Sequence, residues 1–304
     1  MDYVLTAGAL TKRYGHFKAL DDLSMRVPRG AIYGLVGKNG AGKTTLIRLI
    51  CGLQAPTSGH FSIYGADASS RAIYKARRRM GAVVETPSIY LDMTARDNLV
   101  QQSRVLGLPS EEGVEELLRL VGLADTGKKR ARDFSLGMRQ RLGIAVALVG
   151  DPDFLVLDEP VNGLDPQGIV EMRELLLKLN RERQITLLIS SHILDELSKL
   201  ATHYGFIDRG RMVREISAQA LEEACRKCVR VRVSDAQALA RVLDGMGVSY
   251  AIVAPGEADI YAQVGVTRLV LALGREGCEV LSMQERDESL ESYYISLLGG
   301  GSHE

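Results

Sequence analysis

Tryptophan is absent from this 304-residue sequence, and cysteine is scarce. The four cysteines, at positions 51, 225, 228 and 278, fit a reducing compartment rather than a disulfide scaffold. Cys225 and Cys228 have the spacing of a metal-ligand pair, but no second such pair exists, so two ordinary cysteines at a helix end are expected. Neither sign of charge is in excess, since Lys+Arg and Asp+Glu number 38 each. A nucleic-acid binder of this size carries a basic surplus, so no nucleic-acid partner is expected. No run reaches the ~18 consecutive apolar residues that a membrane-spanning helix needs. The opening Met1-Asp2-Tyr3-Val4 lacks the basic-then-apolar pattern of a secretory signal, so a cytoplasmic location is expected. The remaining composition, 46% hydrophobic and 25% charged, suits a globular chain with one large domain and a small one, or two of medium size.

What is present is dominated by one stretch, Gly37-Lys38-Asn39-Gly40-Ala41-Gly42-Lys43-Thr44-Thr45, which fits the phosphate-cradling pattern G-x-x-x-x-G-K-[ST]. Ala31–Val36 before it reads as a short buried strand, and Thr45–Ile50 after it as a helix ending near Gly52. Strand, glycine loop and helix are the context the motif needs. Glycines let backbone N–H groups approach phosphate oxygens, and the helix N-terminus adds its positive end. Lys43 supplies a point charge for β- and γ-phosphates, Thr44 a hydroxyl for Mg²⁺, and Thr45 neighbours the phosphates.

Around this stretch the chain is ordered. Residues 2–36 read as extended segments with turns at Tyr14-Gly15-His16 and Pro28-Arg29-Gly30. Tyr14, on a polar turn, is a platform for a purine ring or simply a turn tyrosine. His60–Tyr64 and Met80–Val84 read as strands, and the basic residues of 69–79 as a solvated helix face. Helical patterns follow: Thr94 can cap 95–105, and Ser110–Leu118 starts a second helix with acids in its first turn. Ser135 stands at an N-cap position ahead of the apolar helix 142–149. Residues 153–159 form an apolar strand ending in Asp158 and Glu159, Asp165-Pro166 opens a helix, and Ile185–Ile189 is a buried strand followed by Ser190-Ser191-His192. Alternating strands and helices point to a mostly parallel sheet with its site at the strands' C-terminal ends.

Composition shifts after about Ala218. Strands at 229–233, 249–253, 258–263 and 278–283, with helices after Ser234 and Val266, suggest a β-α-β-β-α-β, ferredoxin-like order. The closing segment Leu290–Leu298 reads as a docking helix. There is neither a second P-loop nor a low-complexity linker.

Two carboxylates at a buried strand's end are costly without a cation or a role. Asp158 would hold Mg²⁺, directly or through water, and Glu159 would activate a water as general base. His192, past a neighbouring strand, could bond the γ-phosphate and the attacking water, although alone it would be read as structural.

From about residue 3 to 216 these motifs, in this order, resemble the nucleotide-binding subunit of ABC transporters. Tyr14 matches the adenine-stacking A-loop, Gly37–Thr45 Walker A, and Leu155–Asp158 with Glu159 Walker B and its catalytic glutamate. Glu85 falls at the Q-loop position, Ser135-Leu136-Gly137-Met138-Arg139-Gln140 at the signature motif, Asn162–Asp165 at the D-loop and His192 at the switch histidine. Lys38 stands where proline is frequent, Glu85 replaces the usual glutamine while remaining an oxygen donor for Mg²⁺, and Leu136 and Met138 interrupt the common signature. These variants, with the ending Tyr293–Gly300, resemble the bacitracin- and lantibiotic-exporter branch of the ABC-2 class.

The resemblance implies a P-loop NTPase core with an antiparallel β subdomain and a helical subdomain at about 86–150. Residues 1–217 would form the nucleotide-binding domain and 218–304 a small α+β accessory domain. It implies ATP and Mg²⁺ as ligands and catalytic roles for Glu159, His192 and Lys43. Two copies would pair head-to-tail, each presenting Ser135–Met138 to its partner's ATP, with Asp165 nearby. A separate integral membrane permease would hold the chain at the inner face of the cell membrane through the Glu85–Met93 segment. A non-transport ABC ATPase or an ATP-gated sensor or immunity subunit is the alternative.

Overall fold

The computed structural model describes residues 2–297, except 109, 110, 112, 226, 227, 262, 263, 287–292 and 296. The chain divides into two compact units, Met1–Ala218 and Gln219–Gly300.

The first unit opens with two long antiparallel strands, β1 (Tyr3–Tyr14) and β2 (Phe17–Pro28). They turn at Gly15, whose φ of 58° glycine adopts without strain. The chain continues through β3 (Ile32–Val36), α1 (Lys43–Ile50), β4 (Ser58–Ile63), β5 (Ala66–Asp67), α2 (Ala72–Arg77) and β6 (Met80–Val83). A helical stretch follows, α3 (Ala95–Leu106), α4 (Val114–Leu120) and α5 (Leu136–Leu148). The remainder is β7 (Phe154–Asp158), α6 (Pro166–Arg183), β8 (Thr186–Ser191), α7 (Leu194–Ser198), β9 (His203–Asp208) and β10 (Arg211–Ser217).

Two sheets result. β2-β1-β4-β5 is antiparallel, and β10-β9-β3-β8-β7-β6 is parallel except for its β10 edge. Every residue of β3, β7 and β8 is buried, as in strands covered on both faces. The same sheet aligns the chain after β3, β6, β7 and β8 at one end. Asp158 stands opposite Ser190, and Val36 opposite Ser191. Strand register, not sequence proximity, therefore collects the residues that follow these strands.

Helix boundaries follow local chemistry. α3 carries a capping box between Thr94 and Asp97 and stops at Gly107 in the left-handed conformation. α5 starts at Leu136, earlier than its apolar pattern implies, because the Ser135 hydroxyl accepts from the Met138 N–H. α1 likewise starts at Lys43 rather than Thr45. The basic stretch 69–79 is more than a solvated face. Arg77 is half-buried and donates to the carbonyls of Ile50 (3.0 Å) and Leu49 (3.3 Å), closing the C-terminus of α1. Arg79 pairs with Asp153 and lies over the Tyr64 ring.

The second unit holds α8 (Ala218–Ala224, beginning at the boundary), β11 (Cys228–Val233), α9 (Ala236–Met246), β12 (Tyr250–Ala254), β13 (Glu257–Ile260), α10 (Val266–Arg275) and β14 (Val280–Arg286). Its sheet runs β12-β13-β11-β14 with every neighbouring pair antiparallel, the order expected of a ferredoxin-like unit. Val231, Val233, Leu239, Leu243, Ile260, Leu269 and Leu273 form its own core. The alternating charges of β11 do not simply face water. Arg230 lies opposite Asp259 and grips it with two bonds of 2.6 Å, leaving Asp259 buried. The third strand is shorter than the 258–263 expected, and the last begins at Val280 rather than 278. Most of Leu290–Leu298 lies outside the described residues, although Tyr294 is buried.

Candidate functional site

The loop between β3 and α1 is shaped by backbone that side chains would obstruct. A Cβ on Gly37 would lie 2.6 Å from the Ile207 carbonyl oxygen. Gly42 has φ 110°, and a Cβ there would lie 2.6 Å from the Ala19 carbonyl. α1 begins at this loop with neither a side-chain cap nor an acid in its first turn. Its leading N–H groups and its positive dipole end are thus left to an anion. Lys38, Asn39 and Gly40 are exposed, and Ala41 is buried beneath them.

Lys43 is only 6% exposed, and its ammonium donates to the carbonyls of Gly37 (2.6 Å) and Lys38 (3.4 Å). It also lies 3.1 Å from Glu159 Oε1. The other oxygen of Glu159 is 2.9 Å from His192 Nδ1. Glu159 thus bridges the P-loop lysine and the histidine beyond β8, and its φ of 50° marks the sharp turn that ends β7. Next to it, the buried Asp158 accepts from Thr44 Oγ1 (2.9 Å) and from Ser190 Oγ (2.6 Å). Ser190 Oγ in turn accepts from the Glu159 N–H at 3.0 Å.

Lys43, Thr44, Asp158, Glu159 and His192, chosen from sequence, form one bonded cluster at the C-terminal ends of β3, β7 and β8. Ser190 completes it and was missed. It orients Asp158 and the Glu159 backbone, and its only sequence signal was a hydroxyl at the end of a buried strand. The cluster can take a phosphate on the lysine and α1, a cation on Thr44 and Asp158, and a water on Glu159. No group of three or more His, Cys, Asp or Glu suited to a metal occurs among the described residues. A cation here would depend on oxygens of the phosphate and of water, as Mg²⁺ does.

The other residues lie outside this cluster. Glu85, at the turn after β6 with φ 60°, is paired with Arg48 of α1 at 2.5 Å and not with Thr44 or Asp158. Tyr14 is partly exposed, bonds Gln54 through its hydroxyl, and has Lys12 Nζ 5.3 Å from its ring centroid. Ser135 and Leu136 are exposed at the head of α5, and a Cβ on Gly163 would lie 3.2 Å from Leu136 Cδ2. The signature stretch thus abuts the Asn162–Asp165 loop. Asp165 itself caps α6, its Oδ1 accepting from the Gly168 N–H at 2.9 Å.

Residues 20–162 match the ABC transporter family. The bacitracin transport ATP-binding protein BcrA of Bacillus licheniformis is 41% identical over 306 residues, covering 99% of both chains. The lantibiotic transport ATP-binding protein SrtF of Streptococcus pyogenes is 42% identical over 206 residues, 68% of this chain and 87% of that protein. Among solved structures, cbiO1 of Clostridium perfringens, part of the ABC transporter complex cbiONQ, superposes with a TM-score of 0.66 at 27% identity. That match covers 73% of this chain and 92% of that one. The dimeric cassette MJ0796 bound to ADP and phosphate superposes at 0.63 with 22% identity, over 70% and 98% of the two chains, a likeness of fold. A P-loop whose lysine meets the strand-end carboxylate, in a chain similar to BcrA along its whole length, makes this protein a member of the ABC transporter family, an ATP-binding and ATP-hydrolysing subunit.

Proposed function

We propose that this chain powers the export of a peptide antibiotic or similar amphiphile through a separate membrane permease. The whole-length similarity to a bacitracin transport protein carries the cargo class. No described helix is long and apolar enough to cross a membrane, and in this reading other subunits supply the translocation path. The chain would sit at the inner face of the cell membrane by binding them.

In this reading ATP lies with its phosphates on Gly37–Thr45 and its adenine against Tyr14. Thr44 and Asp158 would hold Mg²⁺, which neutralises phosphate charge when bound. Glu159 takes the proton of the attacking water, and His192, bonded to Glu159, fixes that carboxylate's orientation. The exposed Ser135 caps one N–H of α5, and the head of that helix, with its positive dipole end, would serve as an anion site for the ATP of another copy. A second copy supplies it head-to-tail, and MJ0796 is known as a dimer. ATP closes the pair, and hydrolysis reopens it.

The permease would meet the segment Glu85–Met93. Tyr90 and Leu91 are exposed there, and the loop carrying them is strapped on both sides. The Asn98 side chain accepts from the Tyr90 N–H (2.7 Å) and donates to the Tyr90 and Thr94 carbonyls. The N–H groups of Arg132 and Ala131 bond the carbonyls of Leu91 and Met93. A rigid loop presenting apolar side chains is a docking surface. Tyr90→Asp is expected to weaken permease capture about tenfold or more while basal ATP hydrolysis persists. Pull-down of the permease at undiminished yield would remove Tyr90 from the interface.

The second unit has its own core and holds none of the bonded cluster, so we assign it to dimer contact or permease coupling. Truncation after Ser217 is expected to leave ATP affinity within about threefold and to reduce dimerisation or transport. A truncated chain that stays folded by circular dichroism but loses ATP would overturn that division. The full reading is tested by co-purifying the membrane partner and measuring ATP-dependent uptake of the peptide antibiotic into inverted vesicles. Uptake that does not depend on Glu159 would reject it.

A further inference from the structure

Two carboxylates belong to the bonded cluster, and Glu85, at the position where ABC ATPases commonly carry glutamine, adds a third negative charge outside it. Asp158 and Glu159 are engaged by Thr44, Ser190, Lys43 and His192. Glu85 is the third, and its neighbour is Arg48. Arg48 lies four residues after Thr44 on α1, so the two share one helix face. Glu85, in left-handed backbone two residues past β6, has its carboxylate 2.5 Å from Arg48 Nη2. Side-chain exposures of 34% and 54% leave this pair too wet to contribute much to stability. Its consequence is therefore to be sought in the field it makes. A free carboxylate beside α1, on the face that Arg48 shares with Thr44, would repel a triphosphate at that helix's N-terminus, and Arg48 cancels it.

Resting on the ATP-site reading above, we propose that Arg48 is a positioning residue. It neutralises Glu85 and holds its carboxylate on α1, so that the site accepts Mg·ATP as though the position carried a neutral side chain. The local charge is zero in the native pair, negative in Arg48→Ala and zero again in the double variant Arg48→Ala/Glu85→Gln. Alanine is well tolerated on a helix surface, and Arg48→Gln, of similar length, guards against a loss of packing.

Mg·ATP affinity of the full chain is measured by nucleotide titration. Arg48→Ala and Arg48→Gln are expected to bind about fivefold more weakly at low salt, and Arg48→Lys near the native value. Adding Glu85→Gln to Arg48→Ala is expected to restore affinity to within about twofold of native. The single-variant deficit shrinks by ~0.5 M salt, as screening requires. The proposal is overturned if the double variant stays as weak as Arg48→Ala, if Arg48→Ala binds like the native chain, or if the deficit ignores salt. Absence of Mg·ATP binding in the native chain would overturn the site reading itself, and the pair with it.

Discussion

Glu159→Gln is expected to lower ATP turnover by about a thousandfold while leaving nucleotide binding intact or tighter. The amide cannot accept the water's proton, which accounts for the lost turnover. The tighter binding comes from the ion pair at the site. There the Glu159 carboxylate holds the Lys43 ammonium at 3.1 Å, and a phosphate must displace it. A neutral amide holds the lysine less firmly, so the ammonium is released to ATP at smaller cost. The amide still bonds His192, so the local fold survives. Single-turnover hydrolysis and size exclusion with excess ATP check both halves, with an ATP-bound dimer accumulating. A variant that remains monomeric and hydrolyses ATP at the native rate would exclude Glu159 from the chemistry.

Lys43→Ala is expected to weaken ATP binding by about a hundredfold, the scale of a lost charge-assisted contact in a water-poor pocket. A lysine that served only as a point charge for phosphate would be lost without effect on the fold. The structure adds a second role. The nearly buried ammonium ties the Gly37 and Lys38 carbonyls together and neutralises Glu159. Its removal leaves a carboxylate facing His192 without its cation and a loop carbonyl without its donor, so a loss of about 1–3 kcal/mol in stability should accompany the binding defect. Titration of ATP against the variant, with thermal unfolding in parallel, separates the two effects. Unchanged affinity would refute the P-loop assignment.

Much of the site was legible because its motifs are local. A glycine loop between a strand and a helix writes its own backbone, and a buried strand ending in two acids announces them as functional. Legibility failed where partners come from distant segments. The pattern places Glu85 near Mg²⁺, whereas its carboxylate meets Arg48, 37 positions earlier. Ser190 drew no attention because a serine closing an apolar strand has no meaning until its neighbour is known. Arg77 read as one solvated cation among five, yet it closes the helix that begins at the P-loop.

The sequence by itself determined the phosphate loop, the helix starts at Thr94, Ser135 and Asp165, the ATPase family and the β-α-β-β-α-β order of the second unit. Each depends on residues within a few positions of one another, or on their order along the chain, and both are written in the primary structure. Only the tertiary structure decided which carboxylate meets which cation. That outcome depends on sheet order and register: β7 beside β8 puts Asp158 across from Ser190, and β3 beside β8 brings the P-loop to them. Thr44 and Asp158 are 114 positions apart, and they bond because three wholly buried, largely apolar strands fix the sheet, leaving their polar ends together at its C-terminal edge.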